Sequence, residues 1–222
     1  MILMNLQFFG GRGASGELSD GPSGGGDSST KWGQPNTPIE PPAPTIDMQI
    51  GKKGQPVSAD TAIKVINPYR NIEYGDYSEN CQRCAVAFEL NRRGYAVQAS
   101  ETSENDPYPR NNNYLKAFKN PTITNVGATT NDKVNANILK NMKNWGVGSR
   151  AIVKVQYNAS SGHAFNVEYK SGKLHYYDAQ TGQRYDPKKV FAHVRRNSVQ
   201  IVRTDNLQLD DDVRNLVRKR KR

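Results

Sequence analysis

Residues 80–90 have the sequence NCQRCAVAFEL, in which a cysteine stands at the start of an apolar helical pattern. The apolar positions fall on two faces of a helix, so we predict a helix from Cys81 to Arg93 that is buried on more than one side. Gly94 follows at the position where a glycine commonly ends a helix. This segment decides the fold because it sets a thiol at the start of a buried element.

The apolar periodicity on either side of this helix predicts an α+β domain. Further helices are predicted at 58–66, 131–145 and 187–194, the second of them capped by Asn131 or Asp132. Strands are predicted where alternate residues are apolar, at 151–157, 163–169, 174–178 and 199–202. Because most helical patterns come first and the strands later, we expect N-terminal helices that pack on a small antiparallel sheet.

Composition divides the chain into three parts. Residues 1–57 hold 11 of the 19 glycines and 7 of the 12 prolines, and we predict that they form a disordered arm. A globular domain is expected over 58–206, followed by a charged tail over 207–222. The tail carries three acidic residues first and six basic residues last, which suits a helix and adds +3 to the formal charge of +10. It is either a frayed, solvated helix or an electrostatic contact with nucleic acid, and its lack of aromatic residues favours the first.

Several classes of protein are excluded by the cysteine count and by the hydropathy. Two cysteines cannot form a disulfide framework or a four-thiolate zinc site within one chain, and we expect neither a metal nor a cofactor. The apolar start, 1–9, lacks the cationic residues and the cleavage site of a signal peptide, and no segment is long enough to span a membrane. We therefore expect synthesis in a cytoplasm, with export only by a dedicated route.

The predicted hairpin brings an acid to a histidine. Ser171-Gly172 suits a two-residue turn, which places Lys170 opposite Lys173. Each residue before Lys170 is then opposite the residue that lies equally far after Lys173. His163 then faces Gln180, and Asp178 lies one diagonal step away on the same face of the sheet. Asp178 can hold the tautomer and orientation of the imidazole, and Gln180 can orient the ring or donate to an oxyanion.

The other two histidines are weaker candidates. His175 falls on the opposite face, across from Glu168, where a surface pair is the simpler interpretation. His193 lies in the predicted helix 187–194 and has no acid nearby in sequence. We therefore assign His163 to the site.

The two cysteines differ in their place along the helix. If Asn80 is the N-cap, Cys81 is the first helical residue, where the helix dipole favours a nucleophilic thiolate and the backbone N–H groups can form an oxyanion hole. Cys84 lies one turn deeper, in an apolar setting that raises the pKa of a thiol. We assign Cys81 as nucleophile and Cys84 as packing, with Cys84 as the alternative nucleophile. Two buried core cysteines, a redox pair or a metal site that includes His163 remain as weaker hypotheses.

These motifs resemble the papain-fold toxin family of the glutamine deamidase type, the Tox-PL domains. The similarity is carried by Asn80–Leu90, by Gly162–Phe165 and by Asp178–Gly182, in the order Cys, His, Asp, and it extends over about Tyr69 to Val202. The resemblance implies a papain-like cysteine hydrolase that releases ammonia from a glutamine of a protein substrate.

The same resemblance implies that Asn80 and Gln180 are polar neighbours of the site and candidate oxyanion donors. Papain-like peptidases use a glutamine shortly before the cysteine, whereas here Gln82 follows it. The oxyanion donor therefore stays unassigned, and the sequence does not separate a deamidase from a papain-like cysteine peptidase, which is the alternative enzyme.

The first residues resemble the starts of some tailed-phage structural and prophage proteins, through 4–13, MNLQFFGGRG. This similarity implies a prophage-encoded toxin or effector whose arm connects it to a virion or delivery apparatus, with an immunity protein as a further partner. The alternative outside enzymes is a phage structural or nucleic-acid-associated protein that uses the arm and the basic tail.

Overall fold

The computed structural model describes residues 44–70, 77–102, 113–158, 161–195 and 197–220. Its α-helices are α1 (Ile46–Ile50), α2 (Ala59–Val65), α3 (Cys81–Arg92) and α4 (Asn131–Trp145). Its strands are β1 (Val97–Ala99), β2 (Ile123–Asn125), β3 (Arg150–Gln156), β4 (Gly162–Lys170), β5 (Lys173–Asp178), β6 (Gln183–Tyr185), β7 (Gln200–Arg203) and β8 (Val217–Lys219). Short 3₁₀-helices cover Asn113–Ala117 and Asp211–Asn215.

Helix α3 is the most buried helix, since every residue from Cys81 to Asn91 is buried. The prediction of a helix covered on more than one side is therefore confirmed. The chain leaves the helix through Gly94, which has a φ of +102°. A Cβ at this position would collide with the carbonyl oxygen of Gly54. Glycine is therefore required both by the backbone angle and by the close approach of the segment that contains Gly54.

A buried carboxylate joins α3 to the sheet. The side chain of Glu89 has no exposed surface, and its two oxygens accept from Arg93 at 2.7 Å and from Arg150 at 2.8 Å. Arg150 begins β3, so the pair connects the helix to a central strand. The two arginines satisfy a charge that would otherwise be costly to bury.

The main sheet is antiparallel throughout and has the strand order β2-β7-β3-β4-β5-β6. The predicted hairpin is confirmed: Lys170 pairs with Lys173 and Glu168 with His175. Ser171 and Gly172 both have positive φ, 51° and 76°, as a two-residue hairpin turn requires. A second small sheet pairs β1 with β8.

Apolar side chains cover both faces of the sheet. On one face, α3 packs through Phe88, whose ring stacks on Tyr177 at 5.4 Å between centroids. On the other face, Ile138 and Met142 of α4 pack with Phe165 and the residues around it. Helices that cover an antiparallel sheet are the predicted α+β architecture, which is confirmed.

The arm ends earlier than predicted, and α4 is capped by a different residue from those predicted. Residues 44–57, predicted as part of the arm, contain α1, and Ile50 of that helix is buried in the core of the domain. The rest of the predicted arm, 1–43, lies outside the described residues. Helix α4 is capped one residue earlier than expected, since the hydroxyl of Thr130 accepts from the Lys133 backbone N–H at 3.3 Å.

The helix predicted for the charged tail, 207–222, is wrong for the described residues. Asp210 does cap a helical turn, through a 3.1 Å bond from the Asp212 backbone N–H, but that turn is a short 3₁₀-helix. The adjacent residues Leu216 and Val217 are both buried, and Val217 begins β8. The free edge of β1 supplies backbone partners to this strand, so extension is favoured over a solvated helix.

The predicted helix over 187–194 is also wrong. Val190 donates to the carbonyl of Asp186, four residues back, whereas Val194 donates to Phe191, only three residues back. Val190 and Phe191 are both buried against the sheet. Anchoring two adjacent side chains in this way leaves a series of turns instead of a helix.

None of the helices within the described residues combines the length with the apolar run needed to cross a bilayer.

Candidate active site

Cys81 is the first residue of α3 and is 3% exposed. The backbone N–H of Cys84 donates to the carbonyl of Asn80 at 2.9 Å, so the first turn of the helix begins directly at the thiol. The first N–H groups of an α-helix have no acceptor within the helix, and they point towards the space before it. A developing negative charge beside Cys81 would therefore face backbone donors.

The side chain of Asn80 does not cap the helix. Its oxygen accepts from the Cys84 sulfur at 3.1 Å, and its nitrogen donates to the Ser100 carbonyl at 3.1 Å. Burial raises the pKa of Cys84 well above its ordinary range, with the neighbouring Cys81 as a further cause. Cys84 thus has the apolar, protonated setting that the sequence predicted for it.

His163 and Asp178 meet across the β4–β5 hairpin. The Nε2 atom of His163 lies 3.2 Å from Oδ2 of Asp178, and the acid has no exposed surface. Asn166 pairs with Tyr177 in this ladder, so the next residue of β5 falls diagonally opposite His163, as the register predicted. The two groups come together because the two-residue turn keeps them on one face of the sheet.

Four donors surround the Asp178 carboxylate. Oδ1 accepts from the backbone N–H groups of Gln180 at 2.9 Å and Thr181 at 3.3 Å, and Oδ2 accepts from the Tyr185 hydroxyl at 2.5 Å besides contacting His163. Burial opposes the ionised form, but the His163 charge and these hydrogen bonds outweigh it and lower the pKa of Asp178 to about 2. The acid is therefore a carboxylate at neutral pH.

The imidazole of His163 interacts with both the acid and the thiol. Burial of the ring opposes its protonation, but the Asp178 carboxylate and a hydrogen bond with the Cys81 sulfur raise the pKa of His163 well above its usual range. Because Nε2 faces Asp178, Nδ1 is the nitrogen that remains for the sulfur. An imidazolium beside a thiolate is the arrangement that activates a cysteine nucleophile.

Gln180 connects the acid to the nucleophile loop. Its backbone N–H holds Asp178, while its side-chain nitrogen donates to the carbonyl of Ser78 at 2.5 Å, three residues before Cys81. Its backbone oxygen accepts from Asn67 at 3.1 Å. The side-chain donor is therefore directed at the loop and acts as a connection between two parts of the site.

The remaining histidines lie elsewhere. His175 is opposite Glu168 in the ladder, and Glu168 accepts from Arg92 of α3 at 2.5 Å. His193 is exposed in the turns before β7, where its carbonyl accepts from Asn158. Of the three histidines, His163 is the one that the structure brings to Cys81.

Sequence reasoning missed three side chains near the thiol. Tyr185 contacts Asp178 and lies 3.3 Å from Nε2 of His163. Burial lowers the pKa of Lys154, which the charge of Cys81 opposes, and burial raises the pKa of Tyr157. Lys154 is a polar residue between the apolar positions of β3, and α3 covers the face of the sheet to which it belongs. Tyr185 lies in β6, a strand too short for its alternation to be visible in the sequence.

The family model described as papain fold toxin 1, glutamine deamidase, matches residues 79–183. The match begins two residues before Cys81 and contains His163 and Asp178. Residues 79–183 belong to the papain-fold toxin family. The resemblance inferred from the motifs is thus confirmed. No curated protein and no solved structure matches the chain.

Membership of the papain-fold toxin family identifies the class of chemistry. The domain is a cysteine-hydrolase type of enzyme, a toxin of the glutamine deamidase family that acts on a protein. The described residues contain no cluster of three or more His, Cys, Asp or Glu side chains that could hold a metal ion.

Proposed function

We propose that the papain-fold toxin domain converts a glutamine of a target protein into glutamate, with Cys81 as nucleophile, His163 as acid and base, and Asp178 as the group that orients His163. One observation carries this assignment: the ring of His163 lies 3.2 Å from the Asp178 carboxylate and interacts with the Cys81 sulfur as well. The matched family supports the reaction, and the contacts of His163 support these residues for it.

The first half of the reaction forms a thioester. The Cys81 thiolate attacks the side-chain carbonyl carbon of glutamine, and the carbonyl oxygen takes the negative charge. The carbon–nitrogen bond then breaks as the His163 imidazolium gives its proton to the leaving nitrogen, which departs as ammonia. Asp178 holds the ring in place and stabilises its charge before that transfer.

The second half releases the product. Neutral His163 takes a proton from water, and the resulting hydroxide adds to the thioester carbon. The carbon–sulfur bond breaks, glutamate leaves, and Cys81 returns as a thiolate beside the imidazolium. Backbone N–H groups at the start of α3 stabilise the oxyanion in both halves. The side-chain nitrogens of Asn80 and Gln180 bind carbonyls of Ser100 and Ser78, so we assign these residues to positioning the loops.

The test compares two alanine variants of the cysteine pair. Cys81→Ala is expected to abolish ammonia release from benzyloxycarbonyl-glutaminyl-glycine and from unfolded casein, because no nucleophile remains. Cys84→Ala is the matched control. It removes a sulfur one turn away and should keep activity within about threefold, with a loss of roughly 1 kcal/mol or more in unfolding free energy.

Mass spectrometry of the casein separates the alternatives. Deamidation replaces an NH₂ with an OH and leaves the chain intact, whereas a papain-like peptidase would cut it. Equal loss of activity in a folded Cys84→Ala variant would reverse the roles of the two cysteines. A Cys81 that iodoacetamide does not alkylate at neutral pH would contradict the enzymatic proposal and favour a phage structural or nucleic-acid-associated protein.

We further propose that the protein is a prophage-linked effector that is made in the cytoplasm and delivered into a target cell. Support comes from the resemblance of residues 4–13 to the starts of phage proteins and from the toxin family of the domain. The partners would be a virion or delivery apparatus, through the N-terminal arm, and an immunity protein in the producing cell. Absence of the chain from both purified virions and secreted fractions would count against delivery.

A further inference from the structure

Tyr185 is held at the site by β6 and by aromatic packing. It pairs with Tyr176 in the β5–β6 ladder, which directs both side chains to the face that carries Asp178. Its ring packs edge-on against Phe165, with centroids 5.4 Å apart and an interplanar angle of 88°. It also makes an edge contact with the ring of His163, at 6.4 Å. The two ring contacts therefore position the phenol independently of the hydrogen bonds of its hydroxyl.

The hydroxyl of Tyr185 reaches both partners of the proposed acid–histidine pair. It donates to Oδ2 of Asp178 at 2.5 Å and lies 3.3 Å from Nε2 of His163. Burial, followed by the Asp178 charge, raises the pKa of Tyr185 far above its usual value, so the phenol stays protonated and remains a donor. Since Oδ1 of Asp178 is already occupied by two backbone N–H groups, the tyrosine sets the position of the one oxygen that contacts the histidine.

We propose that Tyr185 is a positioning residue of the reaction, which holds the Asp178 carboxylate and, through it, the His163 ring in the orientation that serves Cys81. This inference rests on the proposed triad. It adds a fourth member, located seven residues after the acid on the next strand. Its hydroxyl and the His163 ring both contact Oδ2 of Asp178.

The pH dependence follows from the direction of the hydrogen bond. A donor to a carboxylate favours its ionised form, so removal of the hydroxyl makes Asp178 easier to protonate. The imidazolium then loses its counter-charge at a higher pH than before. The acid limb of thiol reactivity should therefore move to higher pH when Tyr185 lacks its hydroxyl.

The experiment uses Tyr185→Phe in the full chain, with alkylation of Cys81 by iodoacetamide as the readout and peptide mapping to separate it from Cys84. We expect the rate constant at neutral pH to fall about tenfold, the scale of one hydrogen bond to a charged group. The acid limb should move up, and kcat for ammonia release should fall with KM unchanged. Tyr176→Phe is the matched control, because its buried hydroxyl bonds to Asn135 at 2.8 Å and not to the site.

A double-mutant cycle shows whether the tyrosine acts through the acid. In an Asp178→Asn background, Tyr185→Phe should change the alkylation rate by less than about twofold, because the group it positions is already lost. An equal tenfold fall in both backgrounds would make the role structural and overturn the inference. So would wild-type rate and pH profile in Tyr185→Phe. These outcomes differ from failure of the proposed function, in which Cys81 of the wild-type chain would itself be unreactive.

Discussion

At the scale of single residues, the site depends on a carboxylate that has no exposed surface. Asp178 is ionised because His163 and several hydrogen bonds outweigh the cost of burial, so the folded state lowers its pKa from 3.8 to about 2. The same pairing raises the pKa of His163 above 6.5. A group whose pKa differs between the folded and unfolded chain makes stability depend on pH.

The sign of this dependence differs for the two partners. The contribution of Asp178 is complete above its unfolded pKa of 3.8 and is lost as the pH falls through about 2. The contribution of His163 is complete below its unfolded pKa of 6.5 and is lost as the pH rises through the raised folded value. Both contributions are complete between 3.8 and 6.5.

Asp178→Asn should therefore lower the unfolding free energy by about 2 kcal/mol at about pH 6, measured by urea denaturation. The difference from wild type should shrink as the pH falls through 3.8 towards 2, because the wild-type carboxylate is then being protonated. Asp186→Asn, at an exposed acid nearby, is the control and should leave the stability unchanged. A difference that stays constant down to low pH would contradict the ionised state of Asp178.

At the scale of elements, an arginine holds the turn between β5 and β6 in place through hydrogen bonds. Arg70 donates to the carbonyls of Thr181 at 3.2 Å, Asn67 at 3.1 Å and Lys64 at 2.7 Å. Gly182 completes the turn with a φ of +74°, and a Cβ there would collide with the guanidinium of Arg70. The turn supplies the backbone donors of Asp178, so its position matters to the site.

A pair of glycine substitutions separates this contact from backbone strain. Gly172, in the β4–β5 turn, has a similar φ of +76° but nothing within 4 Å of a Cβ. Gly172→Ala should cost about 1 kcal/mol of unfolding free energy from the positive φ alone and leave alkylation of Cys81 unchanged. Gly182→Ala should cost at least about 1 kcal/mol more, because Arg70 must move, and should slow the alkylation. Equal effects of the two variants would show that the Arg70 contact does not position the turn.

The sequence could predict the hairpin because a two-residue turn and regular alternation together leave one register for β4 and β5. That register identified His163 and Asp178 and rejected His175. Strand β6 could not be predicted, because three residues are too few to show an alternating pattern. Tyr185, which lies in β6, was therefore not recognised as a site residue. The helix over 187–194 was predicted from local pattern alone, and the tertiary burial of Val190 and Phe191 overrode that pattern.

At the scale of the whole molecule, the C-terminal segment belongs to the core. Val213, Leu216 and Val217 are 0%, 0% and 3% exposed and pack in the same cluster as α3. Arg83 of α3 donates to the carbonyl of Asn215 at 2.6 Å. A basic side chain of this segment also packs on an aromatic ring, since the guanidinium of Arg218 lies over the ring of Tyr77 at 5.3 Å. The sequence did not reveal this packing because these three apolar residues are dispersed among nine charged ones in 210–222.

Ending the chain after Asp210 should prevent stable folding. The truncation removes three buried apolar side chains and the partner of β1, a loss of roughly 5 kcal/mol or more against a typical total of about 5–15 kcal/mol. Ending it after Arg220 is the control and should leave the thermal unfolding midpoint unchanged. Soluble yield and circular dichroism measure both. A cooperative transition at the wild-type temperature in the shorter chain would show that the segment is dispensable.

The burial of α3 has a consequence for the lifetime of the nucleophile. A surface helix frays and opens locally, whereas a helix buried from Cys81 to Asn91 should exchange its hydrogen-bonded amide protons only when the domain unfolds as a unit. The thiol at its first residue is therefore as durable as the domain itself. Proteases and denaturants that leave the fold intact would not separate Cys81 from the histidine beside it.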